Sequence, residues 1–295
     1  MNVLRDNLLR AYYLATLPQR ERAASQRARQ GTEPISVLFY HRVADQHPNG
    51  WTMPTRTFAR QVRWLKEHFD VVDLAEAQRR IHSGCNSLPT VAITFDDGYA
   101  ENLEFAVPHL LQQGLPFTYF VSTAHVMGQR PFPHDVDAGQ PLTPNTLAQL
   151  RELSAAGVEI GAHNRNHVHL GLASNDQLED EILGSKRDLE HALERKIRYF
   201  AFPYGQPADL STAAFEIASS AGYDGVCSAF GGYNFPGDDP FHLRRIHADC
   251  ETIRLKNWLT VDPRKVHNAI QFQPGDYRHP LASCEPAETE LVESI

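Results

Sequence analysis

Short apolar runs of strand character alternate along this chain with stretches of helical spacing, and that alternation limits the fold more than any other feature of the sequence. Ile35-Ser36-Val37-Leu38-Phe39-Tyr40 is the first buried run, and Thr90-Val91-Ala92-Ile93-Thr94-Phe95 is a second. Val71-Val72, Phe117 to Val121, Val158 to Ala162, Tyr199 to Phe202, Gly225 to Ser228 and Leu243 to Ile246 continue the series. Between them, Phe58, Val62, Leu65 and Phe69 fall on the inner face of one predicted helix. Leu74 to Ile81, Leu103 to Gln113, Thr146 to Ala156, Asn175 to Leu193 and Thr212 to Ala221 are further helices, and Ile253 to Leu259 is the last. Strands that alternate with helices imply a parallel sheet covered by helices.

A barrel of this kind gathers its active site at the C-terminal ends of the strands. The polar clusters sit where that rule places them. His41 follows 35–40, Asp96-Asp97 follow 90–95, His163 follows 158–162, and Pro203-Tyr204 follow 199–202. Loop-rich sequence at 123–143, with Pro131, Pro133, Gly139 and Pro141, is expected to form part of the groove.

Three motifs carry chemistry. Asp96-Asp97-Gly98 puts two carboxylates at the end of a buried strand, which is costly unless a cation or proton compensates them. Asp-Asp-Gly is equally good turn chemistry, so the motif alone does not decide between a site and a surface turn. His163-Asn164-Arg165-Asn166-His167 sets two imidazoles at i and i+4, a spacing from which both can reach one ion. Taken alone, a pair so spaced also fits ordinary loop histidines, and His169 stands close by. Phe202-Pro203-Tyr204-Gly205 shapes a rigid loop whose Tyr204 backbone N–H can face an oxyanion, or is a plain Pro/Gly turn. Two histidines and one carboxylate around an ion, with open positions, suit a hydrolytic or oxygenase centre. The spare carboxylate beside them favours hydrolysis, because attacking water needs a base.

In this order the three motifs resemble the polysaccharide deacetylase family, the NodB-homology domain, over roughly residues 35–260. Val37-Leu38-Phe39-Tyr40-His41-Arg42-Val43 and Asp239-Pro240-Phe241-His242-Leu243-Arg244-Arg245-Ile246 resemble its branch acting on exopolysaccharides. The resemblance implies a distorted seven-stranded (β/α) barrel. It implies a metal held by Asp97, His163 and His167, Asp96 as general base and the Tyr204 N–H at the oxyanion. The ion is most simply Zn²⁺, with Co²⁺, Ni²⁺ or Fe²⁺ also suited to such ligands. The reaction implied removes N-acetyl groups from N-acetylated sugars or polysaccharide. Three positions depart from the family. Asn164 stands where Ser or Thr is usual. Ala201 stands where an arginine usually braces the base, and Arg245 on a late strand is the expected substitute. His247, on the same strand face as Arg245, is the expected general acid, outside the usual Leu-x-His setting. His41 is either a pocket residue or a structural histidine. Alternatives are a hydrolase of a non-sugar C–N amide bond and an inactive carbohydrate-binding module.

Composition sets the outer limits. A chain of 295 residues accommodates one large α/β domain, here 31–275, between an N-terminal helix and linker at 1–30 and an acidic tail at 276–295 expected to be disordered. Net charge is −8 and no basic run is interleaved with aromatics, so nucleic acid is excluded as the expected partner. Cys85, Cys227, Cys250 and Cys284 stand apart, without a CxxC pair, and read as free thiols. Leu4, Leu8, Ala11, Tyr12 and Ala15 share one helical face. Residues 1–18 therefore read first as a helix docked on the domain and second as a peripheral membrane contact. They lack the form of a signal peptide, which gives a cytoplasmic or membrane-peripheral expectation. The substrate is then a poly-N-acetylglucosamine, a peptidoglycan fragment, or a lipid- or nucleotide-linked sugar.

Overall fold

In the computed structural model, which describes residues 3–270 and Phe272, the strands and helices alternate broadly as the apolar runs predict. The strands are β1 Ile35–Tyr40, β2 Arg42–Val43, β3 Thr52–Met53, β4 Asp70–Val72, β5 Thr90–Phe95, β6 Thr118–Val121, β7 Glu159–Ala162, β8 Tyr199–Ala201, β9 Gly225–Cys227, β10 His242–Leu243 and β11 Arg245–His247. The α-helices are α1 Val3–Gln30, α2 Thr55–His68, α3 Leu74–His82, α4 Ala106–Gln113, α5 Thr123–Gly128, α6 Pro133–Asp137, α7 Leu147–Ala155, α8 Asn175–Leu193, α9 Thr212–Ser220, α10 Thr252–Leu259 and α11 Pro263–His267.

Nine strands form one sheet with the path β10-β9-β8-β7-β6-β5-β1-β11, and its pairings are parallel. β4 lies off this path, beside the first half of β5, while β6 takes the second half. The two ends of the path, β10 and β11, are consecutive in sequence with only Arg244 between them. His242 pairs with Val226 of β9, and Arg245 pairs with Val37 of β1. One segment, 242–247, thus joins both ends of the sheet. With β4 set aside and that segment counted once, seven staves enclose a nearly closed barrel, the architecture the resemblance implies.

Strand alternation divides the apolar residues into two layers. Val37, Ala92, Phe120, Tyr199, Ala201, Cys227 and Leu243 form a small inner cluster with Leu74, Ala77 and Ile81 of α3. The intervening residues, among them Leu38, Ile93, Phe95, Ile160 and Phe200, pack outward against Phe58, Val62 and Leu65 of α2 and Leu178, Ile182 and Leu189 of α8. This outer layer is the larger core and holds the helices on the barrel.

Several expectations change. Gln19 to Gln30, expected as a linker, continues α1 as helix, and Pro18 lies inside that helix. Its buried Arg20 explains the continuity, since Nη2 bonds Asn257 Oδ1 at 2.8 Å and Nη1 bonds the Asn257 carbonyl at 3.2 Å. The stretch 123–143 holds α5 and α6 and is not all loop. A further helix, α11, follows α10. The expected tail lies outside the described residues. Among those described, no helix is long and apolar enough to cross a membrane.

Candidate active site

β5 delivers Asp96 and Asp97 to the mouth of the barrel, both buried. Successive strand residues point to opposite faces, so two adjacent carboxylates in one pocket require the strand to end between them. Asp97 has φ 72° and Gly98 has φ 85°, two left-handed residues in succession. Glycine accepts that conformation freely, whereas an L-residue such as Asp97 is strained in it. The Asp96 N–H still bonds the Tyr40 carbonyl at 2.9 Å, and the Gly98 N–H turns back onto the Asp96 carbonyl at 2.9 Å.

Arg245 meets Asp96 from β11. Its Nη1 and Nη2 bond the two carboxylate oxygens at 2.6 and 2.8 Å, its Nη1 bonds Thr94 Oγ1 at 3.1 Å, and its Nε bonds the Ser228 carbonyl at 3.0 Å. The guanidinium lies 4.8 Å from the Phe39 ring centroid. Burial pushes the Asp96 pKa up, but Arg245 outweighs it and holds the carboxylate below its ordinary value.

Asp97 faces two imidazoles. His163 Nε2 lies 3.5 Å and His167 Nε2 3.1 Å from Asp97 Oδ1. His163 Nδ1 donates to the Ala201 carbonyl at 2.8 Å, which in the neutral ring leaves Nε2 as a lone pair aimed at Asp97. One ligand atom from each of the three residues falls within 4.8 Å of the others. Asp97 Oδ1 is buried without a hydrogen-bond partner. Burial opposes ionisation of Asp97, and positive charge on the imidazoles, or a cation in the place of their protons, is what holds its pKa well below the usual carboxylate range. An orphaned carboxylate oxygen between two ring nitrogens is a fitting place for a divalent cation.

The cavity above these groups has a volume of about 320 Å³. Tyr204 on one side has φ 59°, and no hydrogen bond from its backbone N–H occurs among the described residues. Its ring stacks on His169 at 3.6 Å. His169 itself bonds Asp209 at 2.6 Å and stands outside the imidazole pair. On the other side His247, Phe39, His41 and Trp51 form an aromatic wall, with Trp51 against His41 at 4.7 Å and His247 at 5.9 Å. Burial lowers the His41 pKa to about 4, and its Nδ1 is buried without a partner. Trp51 and His134, the latter carried by α6, went unnoticed in the sequence. Each sits in irregular sequence, and only the position of 123–143 hinted at a lining role. A larger hollow of about 490 Å³ between α1 and α10 holds none of the Asp or His residues just described.

The family model described as polysaccharide deacetylase matches residues 83–226. The Bacillus subtilis protein YxkH, named as a polysaccharide deacetylase, is 24% identical over 191 residues, which is 64% of this chain and 62% of that protein. A peptidoglycan-N-acetylglucosamine deacetylase of Bacillus cereus is 27% identical over 141 residues, 48% of this chain and 57% of that protein. The chain thus spans about three-fifths of the length of these curated relatives. Among solved structures, IcaB from Ammonifex degensii superposes with a TM-score of 0.66 at 25% identity, covering 78% of this chain and 98% of that one.

Proposed function

We propose that this chain, which matches the polysaccharide deacetylase model over residues 83–226, is a metal-dependent hydrolase of that family removing N-acetyl groups from N-acetylated sugars or polysaccharide. The observation that carries this reading is the orphaned Asp97 oxygen between His163 and His167, beside a second carboxylate with its own counter-charge. Asp97, His163 and His167 would hold the ion, zinc in the first instance, which supplies a Lewis acid for the acetamide carbonyl and lowers the pKa of water.

The remaining roles belong to the chain's own side chains. Asp96 accepts the proton of the attacking water, and Arg245 keeps it ionised and fixed in direction. The Tyr204 N–H donates to the oxygen that gains charge as the carbonyl carbon becomes tetrahedral. His247, protonated from solvent against the lowering of its pKa by burial, passes that proton to the sugar nitrogen as the C–N bond breaks, leaving acetate and a free amine, and Asp96 then releases the water proton to solvent. His41 and Trp51 keep water away from one side and give a sugar ring an apolar surface.

Acetate release from N-acetylglucosamine oligomers tests the proposal, assayed on metal-stripped protein and again after zinc or cobalt is restored. Release is expected only with metal. Asp96→Asn is expected to bind metal and lose most hydrolysis, while His163→Ala and His167→Ala lose both. Normal activity in Asp96→Asn, or full metal content in the double histidine variant, would remove the proposed mechanism.

A further inference from the structure

The two imidazoles facing Asp97 are held in different ways. His163 extends directly from β7, its N–H bonds the Val121 carbonyl at 2.9 Å, and its ring is tied to the Ala201 carbonyl. His167 lies four residues further along a loop. Apart from its approach to Asp97, its ring has aromatic neighbours, Phe132 at 5.2 Å and Tyr204 at 5.1 Å. Its position therefore depends on the backbone of 164–167.

That backbone passes through left-handed conformations at Asn164 (φ 50°) and His167 (φ 54°). Asn164 Oδ1 closes the turn by accepting the His167 N–H at 2.5 Å. Two inner N–H groups, those of Arg165 and Asn166, would be left over. Oε2 of Glu181 on α8 accepts both, at 2.9 and 3.0 Å, and Oε1 accepts the Asn166 side-chain amide at 2.7 Å. Glu181 is buried, and these three donors satisfy it.

The same face of α8 grips the loop twice more. Asp188 takes Nε and Nη2 of Arg165 at 2.8 Å each, and Asp180 takes Nη1 at 2.5 Å. Gly184 lies between them. A Cβ there would come within 2.7 Å of the guanidinium carbon, so this turn of the helix is bare where Arg165 crosses it.

We infer that Glu181 is a positioning residue for the metal site: it aims His167 at Asp97 by holding the two N–H groups that precede it. The inference rests on the reading of Asp97, His163 and His167 as ligands. Outer groups that orient ligands typically affect metal affinity by about 10- to 100-fold when removed.

Zinc affinity of the full chain, measured by competition with a chromophoric chelator, tests this without reference to turnover. Glu181→Ala is expected to weaken zinc binding by about 10- to 100-fold. Glu181→Gln is expected to stay near wild type, because its oxygen can take both N–H groups while the Asn166 amide rotates to face its NH₂. Lys186→Met is the control. Lys186 lies on the same helix and bonds the Ile197 carbonyl, so its loss costs stability while zinc affinity should hold. Should Glu181→Ala not fold, Glu181→Asp, which draws the carboxylate back by one methylene, is measured with the same expectation. Zinc bound by Glu181→Ala as tightly as by wild type, or equal weakening in Lys186→Met, would overturn the inference. Failure of the wild-type chain to bind zinc would instead overturn the metal reading beneath it.

Discussion

Replacing Arg245 by methionine removes the guanidinium but keeps much of the side chain's volume and leaves Asp96 as a buried charge. Arg245 and Asp96 are almost wholly excluded from solvent and joined by two short bonds. Removing one partner of such a pair costs about 3–5 kcal/mol, chiefly because the other charge is left unpaired. At roughly 2–4 °C per kcal/mol for a domain somewhat smaller than this one, the melting temperature should fall by about 6–20 °C. If uncompensated charge is the cause, the cost depends on what stands at position 96. In an Asp96→Asn background Arg245 is itself a buried charge without its counter-ion, so the loss of its hydrogen bonds is offset by relief of that unpaired charge and the same substitution costs about 1 kcal/mol or less. A double-mutant cycle by urea unfolding should therefore give a coupling energy of about 2–4 kcal/mol. Equal losses in the two backgrounds would refute the reasoning, since Arg245 would then act through packing on Phe39 and Phe120.

His242 is buried, its Nε2 lies 2.9 Å from Ser228 Oγ, and burial lowers its pKa from 6.5 to about 3. It is neutral in the folded state, so the unfolded chain takes up the proton first. Its contribution to stability is complete above pH 6.5 and is lost as pH falls toward 3, with a slope of up to about 1.4 kcal/mol per unit. His242→Gln should flatten urea-derived stability between pH 6 and 4, and an unchanged slope would rule His242 out as its source. Trp51, half exposed on the pocket wall, is expected to hold a sugar ring by stacking. Trp51→Ala should raise KM about two- to twelvefold at near-constant kcat, from a contact of about 0.5–1.5 kcal/mol. A loss confined to kcat would contradict that role.

The strands were legible because their runs are apolar on both faces, as barrel strands covered by helices must be. β5 and β1, six residues each, emerged with their boundaries intact. The grouping of Asp96, Asp97 and His163 was legible because each lies just past a strand end, where backbone order limits the directions available, and His167 was legible through its i+4 spacing from His163. Arg245 was reached through the gap at Ala201, and strand alternation placed His247 beside it. What stayed hidden depends on distance in sequence. α1 runs through its charged half because Arg20 finds Asn257, a partner 237 residues away that no local pattern announces. The break of 242–247 into β10 and β11 reflects two different neighbours. Trp51 and His134 are brought in by irregular segments whose paths no periodicity encodes.

During synthesis the Asp96-Asp97 pair leaves the ribosome long before its counter-charge, since Arg245 follows Asp96 by 149 residues. Until 242–247 emerges and docks on β9 and β1, the nascent sheet has two open edges and a carboxylate with nothing to balance it. Edge pairing and charge neutralisation then arrive in a single event, from three consecutive residues of β11 and the two that precede Arg244. A product truncated anywhere before residue 245 is thereby both unclosed and without the counter-charge of Asp96, so closure of the barrel and charge balance in the pocket depend on the same six residues.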